Sequence, residues 1–187
     1  MSTPAKDRLV ETALKLFHQD GFHATGIDRI LAVADVSKMT LYKYFPSKEA
    51  LILEVLNQRD QRFRQWMSDR TLRLAASPQD RLVAVFDALG EWFDDPGFHG
   101  CLFINASAEY GGPDDKIHAS AIHHKQLVVD WLIDLATQAK AKNPNDLAWD
   151  LMLIMEGAIV TRQAAGATNA AVLAKSLAKR VVNGAFE

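Results

Sequence analysis

Cysteine, the residue that forms disulfides, is almost absent from the sequence. Cys101 is the single cysteine among 187 residues, so no disulfide forms within the chain and no cysteine-based zinc site can be built. A run of about 18 apolar residues, the length that spans a membrane, is also missing, and residues 1–11 lack the apolar core of a signal peptide. These absences favour a reducing compartment, and we expect a cytoplasmic protein with no membrane partner.

Strict alternation of apolar and polar residues, the pattern of a half-buried strand, is equally scarce. Apolar residues instead recur at helical spacing, and the prolines and glycines fall between the periodic segments. The pattern predicts an all-α protein of about nine helices, over residues 5–19, 25–35, 37–45, 47–75, 78–95, 101–110, 114–142, 145–163 and 170–183.

The chain as a whole has no large excess of either charge, since its formal net charge is −2. The charge is nevertheless uneven: residues 1–75 hold 12 basic and 9 acidic residues, whereas residues 76–187 hold 9 and 14. A mildly basic N-terminal part on an acidic remainder indicates a local surface for an anion. The tight turn between the second and third helices is compatible with a helix-turn-helix, although generic helical bundles contain such turns too.

The predicted third helix, "SKMTLYKYF" at residues 37–45, has few apolar residues to hold it down. On a helical wheel Leu41 and Phe45 lie within about 40° of each other and define the core side. Met39 and Lys43 form a ridge on the opposite side. A methionine there suits contact with a thymine methyl, and a lysine reaches guanine acceptors in a major groove. An exposed methionine is also common without any such role.

Hydroxyl-bearing and cationic side chains flank this ridge. Thr40 and Tyr42 lie on either side of it, at positions from which they reach the phosphate walls of a groove. Lys48 falls in the first turn of the next helix, where a cation is favoured only if an anion is near. Thr25, with Asp28 three residues on, fits a capping box and predicts a second helix N-terminus in this region. A solvated ion pair of Lys48 with its neighbour explains that residue equally well.

Residues 25–51, "TGIDRILAVADVSKMTLYKYFPSKEAL", resemble the DNA-binding region of the TetR/AcrR family of bacterial transcriptional regulators, and the preceding "ALKLFHQDGFHAT" is similar to that family's first helix. The resemblance implies an all-helical homodimer in which each subunit presents the helix at 37–45 to one half-site of a palindromic, double-stranded DNA operator. It divides the chain into a helix-turn-helix DNA-binding domain, residues 1–47, and a ligand-binding and dimerisation domain, residues 48–187. Helix 48–75 would link the two.

The resemblance also implies individual DNA contacts. Five residues would contact backbone phosphates: Thr25, Ser37, Tyr42, Tyr44 and Lys48. Four would face the groove: Lys38, Met39, Thr40 and Lys43. Asp35 stands where glycine is common, so the turn would rely on the tolerance of aspartate for unusual backbone angles. Met39 also stands where glycine is frequent, which makes it a candidate determinant of the DNA sequence that is read.

The resemblance further implies a regulator that responds to a ligand. We expect a repressor, released from its operator by a small-molecule inducer, without a cofactor and without enzymatic activity. The pocket is expected among the helices that begin near residues 78, 101, 114 and 145. The candidate ligand-binding residues are Trp92, Phe93, His99, Phe103, Asn105, Glu109, Tyr110, His123, Trp131, Met152 and Met155. The last two helices carry small residues that permit close approach, and we predict that they form the dimer interface.

Two other classes of protein remain open. One is a small-molecule or metal-dependent helical enzyme, in which Cys101 with His99 would supply a nucleophile; a buried, inert cysteine is the more common case. The residues that invite a metal are His118, His123, His124 and Glu109, but their spacing does not place two ligands on one helical face as i,i+4 would. The other class is a helical dimer that senses a small molecule and acts through a protein partner.

Overall fold

In a computed structural model, which describes residues 4–112 and 114–186, nine α-helices follow one another in the described part of the chain. Their bounds are Pro4–Asp20 (α1), Ile27–Ala34 (α2), Lys38–Tyr44 (α3), Lys48–Leu74 (α4), Pro78–Phe93 (α5), Leu102–Glu109 (α6), Lys116–Gln138 (α7), Pro144–Ala165 (α8) and Ala170–Gly184 (α9). The prediction of an all-α protein of about nine helices is confirmed. None of the described helices is both long enough and apolar enough to cross a bilayer.

The chain packs into two compact units that the backbone visits alternately. The first contains the residues up to Gln61 together with Cys101–His123, and the second contains Arg62–Gly100 together with the residues from His124 onward. The units therefore change within α4, before α6 and within α7. The predicted division into functional domains at residues 47 and 48 is of a different kind and stays a prediction.

The first unit forms around α1, α2 and α3. Leu9 and Phe17 of α1, Ile30 of α2 and Leu41 of α3 are all fully buried. Fully burying an aliphatic or aromatic side chain contributes roughly 1.5–3 kcal/mol, so these residues fix the three short helices against one another. None of the three could bury an apolar face alone, and the long α4 adds further buried residues to the same core.

The turn between α2 and α3 depends on Asp35. This residue takes left-handed backbone angles, φ 50° and ψ 55°, and its N–H donates to the carbonyl oxygen of Leu31. The expectation that aspartate serves here in place of glycine is therefore confirmed. Arg8 of α1 supports the turn, because its guanidinium donates to the carbonyl oxygens of Ala34 (3.3 Å) and Asp35 (3.5 Å). Those carbonyls lie at the end of α2, where no further helical turn supplies donors.

Among the helix boundaries that differ from the prediction, two have a clear physical reason. The seventh helix ends at Gln138, a few residues early, because Lys140 adopts a positive φ of 61°. The second helix begins at Ile27, with Gly26 as its N-cap residue and no side-chain cap. The predicted capping box of Thr25 with Asp28 is therefore wrong. The hydroxyl of Thr25 donates to the carbonyl oxygen of Gly21 at 2.7 Å instead.

In the second unit α9 packs against both α5 and α8. Buried residues recur along α5 and α9: Leu82, Phe86 and Leu89 on α5, and Ala174 and Ala178 on α9. The small residues of α9 allow the helices to approach closely. An ion pair between Lys175 of α9 and Asp87 of α5 (2.5 Å) spans the edge of this packing, in a partly exposed position where such pairs contribute little.

Candidate nucleic-acid interface

The local sequence explains why α3 is short and well defined. Ser37 is its N-cap residue: the hydroxyl oxygen accepts the N–H of Thr40 at 3.2 Å and lies 2.8 Å from the hydroxyl of that threonine. At the other end the N–H of Phe45 donates to the carbonyl oxygen of Leu41 at 2.8 Å, and Pro46 cannot extend the helix. Ser37 and Pro46 together therefore set the two ends of α3.

The two sides of α3 differ sharply in exposure. Leu41 is fully buried and Phe45 is 4% exposed, whereas Met39 is 83% exposed and Tyr42 is 46% exposed. Lys43 is exposed as well. The wheel-derived assignment of Leu41 and Phe45 to the core and of Met39 and Lys43 to the outward ridge is therefore confirmed as geometry. An outward methionine on a helix held by so few core residues leaves a projecting surface free for a partner.

The remaining residues predicted to face DNA surround that ridge. Lys38 is exposed and lies 3.9 Å from Asp28, at the distance limit of an ion pair. Tyr44 is half-buried, and the ammonium of Lys43 lies 5.9 Å from the centre of its ring. A cation over an aromatic face is held at that distance by the quadrupole of the ring. Cationic and hydroxyl groups thus line both flanks of the outward methionine.

Lys48 begins α4 and is half-buried. Its ammonium donates to the carbonyl oxygen of His23, 3.5 Å away in the turn between α1 and α2. The hydroxyl of Ser47 accepts the N–H of Ala50 at 3.2 Å, which caps the start of α4. Backbone and Ser47 hydrogen bonds hold the pKa of Glu49 below its ordinary value, so this carboxylate stays charged beside Lys48. The structure thus joins the start of α4 to the segment that leads into α2.

Thr25 contributes to this region from inside rather than from the surface. The residue is fully buried, and its hydroxyl donates to the carbonyl oxygen of Gly21 at 2.7 Å and approaches that of Leu16 at 3.3 Å. The side chain therefore presents no exposed hydroxyl to a phosphate. What Thr25 does is hold the turn after α1 and so set where α2 begins. A short polar residue before a helix is predicted to be an N-cap from sequence alone. Only the packing shows that the hydroxyl of Thr25 bonds to Gly21 instead.

The eleven ligand-binding candidates fall into both compact units. The first unit contains Phe103, Asn105, Glu109, Tyr110 and His123; the second contains Trp92, Phe93, His99, Trp131, Met152 and Met155. Phe93, Phe103, Met152 and Met155 are buried, whereas His99 and His123 are exposed. The structure does not bring the eleven together within either unit.

Aromatic packing links part of the second group. The ring of Trp92 lies 4.9 Å from that of Phe63 and 5.0 Å from that of Phe98. Neither Phe63 nor Phe98 is among the ligand-binding candidates. Arg162 of α8 joins this cluster, because its guanidinium donates to the carbonyl oxygen of Phe93 at 3.2 Å and lies 5.8 Å from the ring centre of Phe98. Only the tertiary path of α8 brings Arg162 here, so no local sequence signal could have found it.

Two of the first group have partners that the sequence did not indicate. Glu109 accepts hydrogen bonds from the backbone N–H groups of Phe22 and His23, and Tyr110 stacks on the ring of His23. Both residues therefore contact the turn after α1. Across residues 4–112 and 114–186, no three His, Cys, Asp or Glu side chains converge in a way that could hold a metal ion.

Comparison with known proteins identifies the class of this interface. Residues 9–55 match the family described as "Bacterial regulatory proteins, tetR family", and residues 78–177 match "Tetracyclin repressor-like, C-terminal domain". The chain is 27% identical over 154 residues to the HTH-type transcriptional regulator YjdC of Escherichia coli, covering 82% of this chain and 81% of that protein. It is 49% identical over 53 residues to the HTH-type transcriptional regulator RutR of Escherichia coli, covering 28% and 25%.

A solved structure agrees over nearly the whole chain. The TetR-family transcriptional regulator SCO4454 of Streptomyces coelicolor superposes with a TM-score of 0.91 at 29% identity, covering 98% of this chain and 97% of that one. The matched N-terminal segment contains α2, α3 and the outward ridge, and the matched C-terminal segment contains α5 through the first half of α9. The family is one of regulators and not of enzymes, so the alternative of a helical enzyme fails. The chain belongs to the TetR family of helix-turn-helix, DNA-binding transcriptional regulators.

Proposed function

We propose that this regulator is a homodimeric repressor, which binds a palindromic operator in the cytoplasm and is released by a small-molecule inducer. The observation that carries the DNA-binding part is the projecting ridge of α3. Met39 is 83% exposed on a helix whose Leu41 is fully buried. The groove-facing side chains are Lys38, Met39, Thr40 and Lys43. An exposed thioether beside a lysine suits the thymine methyl and the guanine acceptors that a major groove displays.

Phosphate contacts would fix the register of that helix on the duplex. Tyr42 is 46% exposed and lies beside the ridge, Ser37 and Tyr44 lie at the two ends of α3, and Lys48 begins α4. We assign phosphate contacts to these four residues. The hydroxyl of Thr25 is left out, because it is buried and donates to Gly21. Such contacts position the protein without reading the base sequence.

Exposed apolar side chains on the last two helices support the proposed dimer. On α8, Trp149 is 51% exposed and Leu153 is 69% exposed; on α9, Leu173 is 58% exposed and Leu177 is 41% exposed. In each pair the residues are four apart, so they lie on one face of their helix. Gly157 and Ala174 line the groove between the two helices. Two such faces from two subunits would bury one another as a four-helix interface.

The release step requires the inducer to favour a form of the dimer that fits the operator poorly. Half-sites for a helix-turn-helix dimer lie about 34 Å apart, one turn of DNA, so a change in the separation of the two α3 helices lowers affinity. The inducer shifts the equilibrium by no more than its difference in affinity for the two forms. The aromatic cluster around Trp92 and Phe98 supplies an apolar wall for a small organic molecule in the second unit.

The dimer and the repressor role are tested together. Leu153→Glu places a charge in the proposed interface, and Leu72→Glu places the same charge on an exposed leucine of α4 as a control. We expect Leu153→Glu to yield monomers by analytical ultracentrifugation and to lose operator binding, while the control stays dimeric. In a reporter strain the wild-type protein should lower transcription from a promoter containing its operator. A dimeric, DNA-binding Leu153→Glu variant, or a rise in transcription, would contradict the proposal.

A further inference from the structure

The C-terminal end of α6 is fastened to the turn between α1 and α2. One carboxylate oxygen of Glu109 accepts the N–H of Phe22 at 2.8 Å, and the other accepts the N–H of His23 at 2.6 Å. The second oxygen also lies 2.8 Å from Nδ1 of His23. Residues separated by more than 80 positions in the chain thus share one bidentate contact, and all of them belong to the first compact unit.

A carboxylate is the only side-chain group that satisfies this arrangement at this length. Both of its oxygens accept, and both face N–H donors of the backbone. A glutamine of the same shape would turn an NH₂ donor toward one of those N–H groups. Burial alone would raise the pKa of Glu109, but the N–H donors of His23 and Phe22 and the ring of His23 outweigh it and hold the pKa below its ordinary value.

The turn at residues 21–25 contacts Lys48, one of the residues to which we assign a phosphate contact. The ammonium of Lys48 donates to the backbone carbonyl oxygen of His23 at 3.5 Å. Two residues later, Thr25 fixes the start of α2 through its bond to Gly21. Gly21 itself has a φ of +85°, and a Cβ there would lie 2.9 Å from Oε1 of Glu109. The carboxylate therefore sits directly against the backbone that leads from α1 into α2.

An aromatic stack reinforces the same contact. The ring of Tyr110 lies 4.7 Å from that of His23, nearly parallel to it, and 6.0 Å edge-on from that of Phe22. Phe22 in turn stacks on Phe17 of α1 at 5.0 Å. Packed aromatic pairs contribute about 0.5–1.5 kcal/mol beyond their buried area. The last residue of α6 and its neighbour therefore hold the turn through polar and apolar contacts together.

We propose that Glu109 is a positioning residue for operator binding, which holds the turn at residues 21–25 so that Lys48 meets the DNA phosphates in register. Glu109 does not touch DNA; it acts through His23 and Phe22. The inference rests on the DNA-binding part of the proposed function. It also gives a role to a residue that the sequence placed in the ligand pocket.

The test compares two isosteric changes in the same unit. Glu109→Gln removes the second acceptor at the turn. Glu54→Gln is the matched control, because Glu54 has the same 26% side-chain exposure and pairs with Lys6 of α1 at 2.9 Å, away from the turn. Both variants and the wild type are titrated with operator DNA and with unrelated DNA over a range of salt concentrations. The temperature is kept where circular dichroism shows all three proteins folded.

We expect Glu109→Gln to weaken binding to both DNAs roughly tenfold and to lower the salt dependence by about two phosphate contacts per dimer. The control should keep the wild-type salt dependence. Glu109→Asp moves the charge back by one methylene and should behave like Glu109→Gln, which provides a second variant if the first does not fold. His23→Ala keeps both backbone bonds and should have the smaller effect.

Three results would overturn the inference. One is a wild-type affinity and salt dependence in a folded Glu109→Gln protein. Another is an equal loss in Glu54→Gln, which would indicate general destabilisation of the unit. The third is a loss of affinity without any change in salt dependence. If the wild-type protein itself bound no DNA, the proposed function would fail first, so the two failures are distinguishable.

Discussion

Met39 and Leu41 lie two residues apart on α3 and have opposite environments, since Met39 is 83% exposed and Leu41 is fully buried. A seven-residue helix with this asymmetry is fixed on one side and projects on the other. The projecting side is not polar throughout, as solvent alone would favour. The apolar thioether at its centre is therefore the group whose removal should be most informative about DNA reading.

Met39→Ala should change base preference at one position in each half-site and leave binding to unrelated DNA nearly unchanged. Loss of the apolar contact should cost about 1 kcal/mol per half-site, roughly fivefold in affinity for the preferred base. Selection from randomised half-sites measures the preference. Val33→Ala, which truncates another exposed apolar residue on α2, should leave it as it is. An unaltered base preference in Met39→Ala would contradict the proposal that this residue contacts the bases.

Lys48→Ala should behave differently, because a phosphate contact is independent of base sequence. We expect weaker binding to every DNA and a salt dependence lowered by about one contact per subunit. Lys116→Ala, an exposed lysine of α7 in the same unit, serves as the control and should retain the wild-type slope. Fluorescence anisotropy titrations at several salt concentrations give both quantities. If Lys48→Ala changed base preference and not the slope, the assignment of ridge and flank would be reversed.

Two buried threonines should respond differently to replacement by valine. Thr25 donates to Gly21 at 2.7 Å, whereas the hydroxyl oxygen of Thr71 is buried without a hydrogen-bond partner among the described residues. Thr25→Val should lower the free energy of unfolding by about 1–3 kcal/mol, since it leaves a carbonyl unpaired. Thr71→Val should be neutral or stabilising. Urea denaturation measures both, and equal losses would contradict the difference in bonding.

The contact of Glu109 with the turn should make stability depend on pH. Its carboxyl group has a lowered pKa in the folded protein, so its contribution is complete above the ordinary carboxyl pKa of about 4.3 and is lost as the pH falls through the lowered value. Glu109→Gln should therefore lower the free energy of unfolding at neutral pH, by about 1–2 kcal/mol.

The difference between Glu109→Gln and wild type should shrink as the pH falls below 4, roughly the range in which a free carboxyl group titrates. Urea denaturation at a series of pH values measures it. Glu54 and Glu91 also have lowered pKa values, through Lys6 with Gln58 and through Arg70 respectively, so the wild-type curve alone is not diagnostic. The comparison of the two proteins isolates Glu109. A difference that stayed constant from pH 7 to pH 3 would rule out the carboxylate as its cause.

Features that depend on neighbours in sequence could be predicted from the sequence. Ser37 caps α3 and Pro46 follows its end, because both effects act within one helical turn. The sidedness of Leu41 and Met39 follows from helical periodicity alone. The left-handed conformation of Asp35 is expected from the family resemblance, because glycine is common at that position and aspartate tolerates such angles.

Features that depend on contacts with distant parts of the chain could not be predicted from the sequence. Thr25 has the sequence of a helix cap, but its hydroxyl points back to Gly21 because the residue is buried under α1. The sequence suggests Glu109 as a polar contact for a ligand, but its hydrogen-bond partners are the backbone N–H groups of Phe22 and His23. A backbone N–H carries no residue identity, so no pattern in the sequence reveals such a contact. Arg162 meets Phe93 and Phe98 for a similar reason.

The most direct test of the central claim is selection of DNA from a random pool by the purified protein, followed by sequencing of the bound fraction. The proposed function predicts enrichment of a two-fold symmetric site whose half-sites lie about one helical turn apart. It also predicts that two subunits occupy each site and that Met39→Ala enriches a site altered at one position in each half. Failure to enrich any symmetric site would contradict the proposal that paired α3 helices read a palindromic operator.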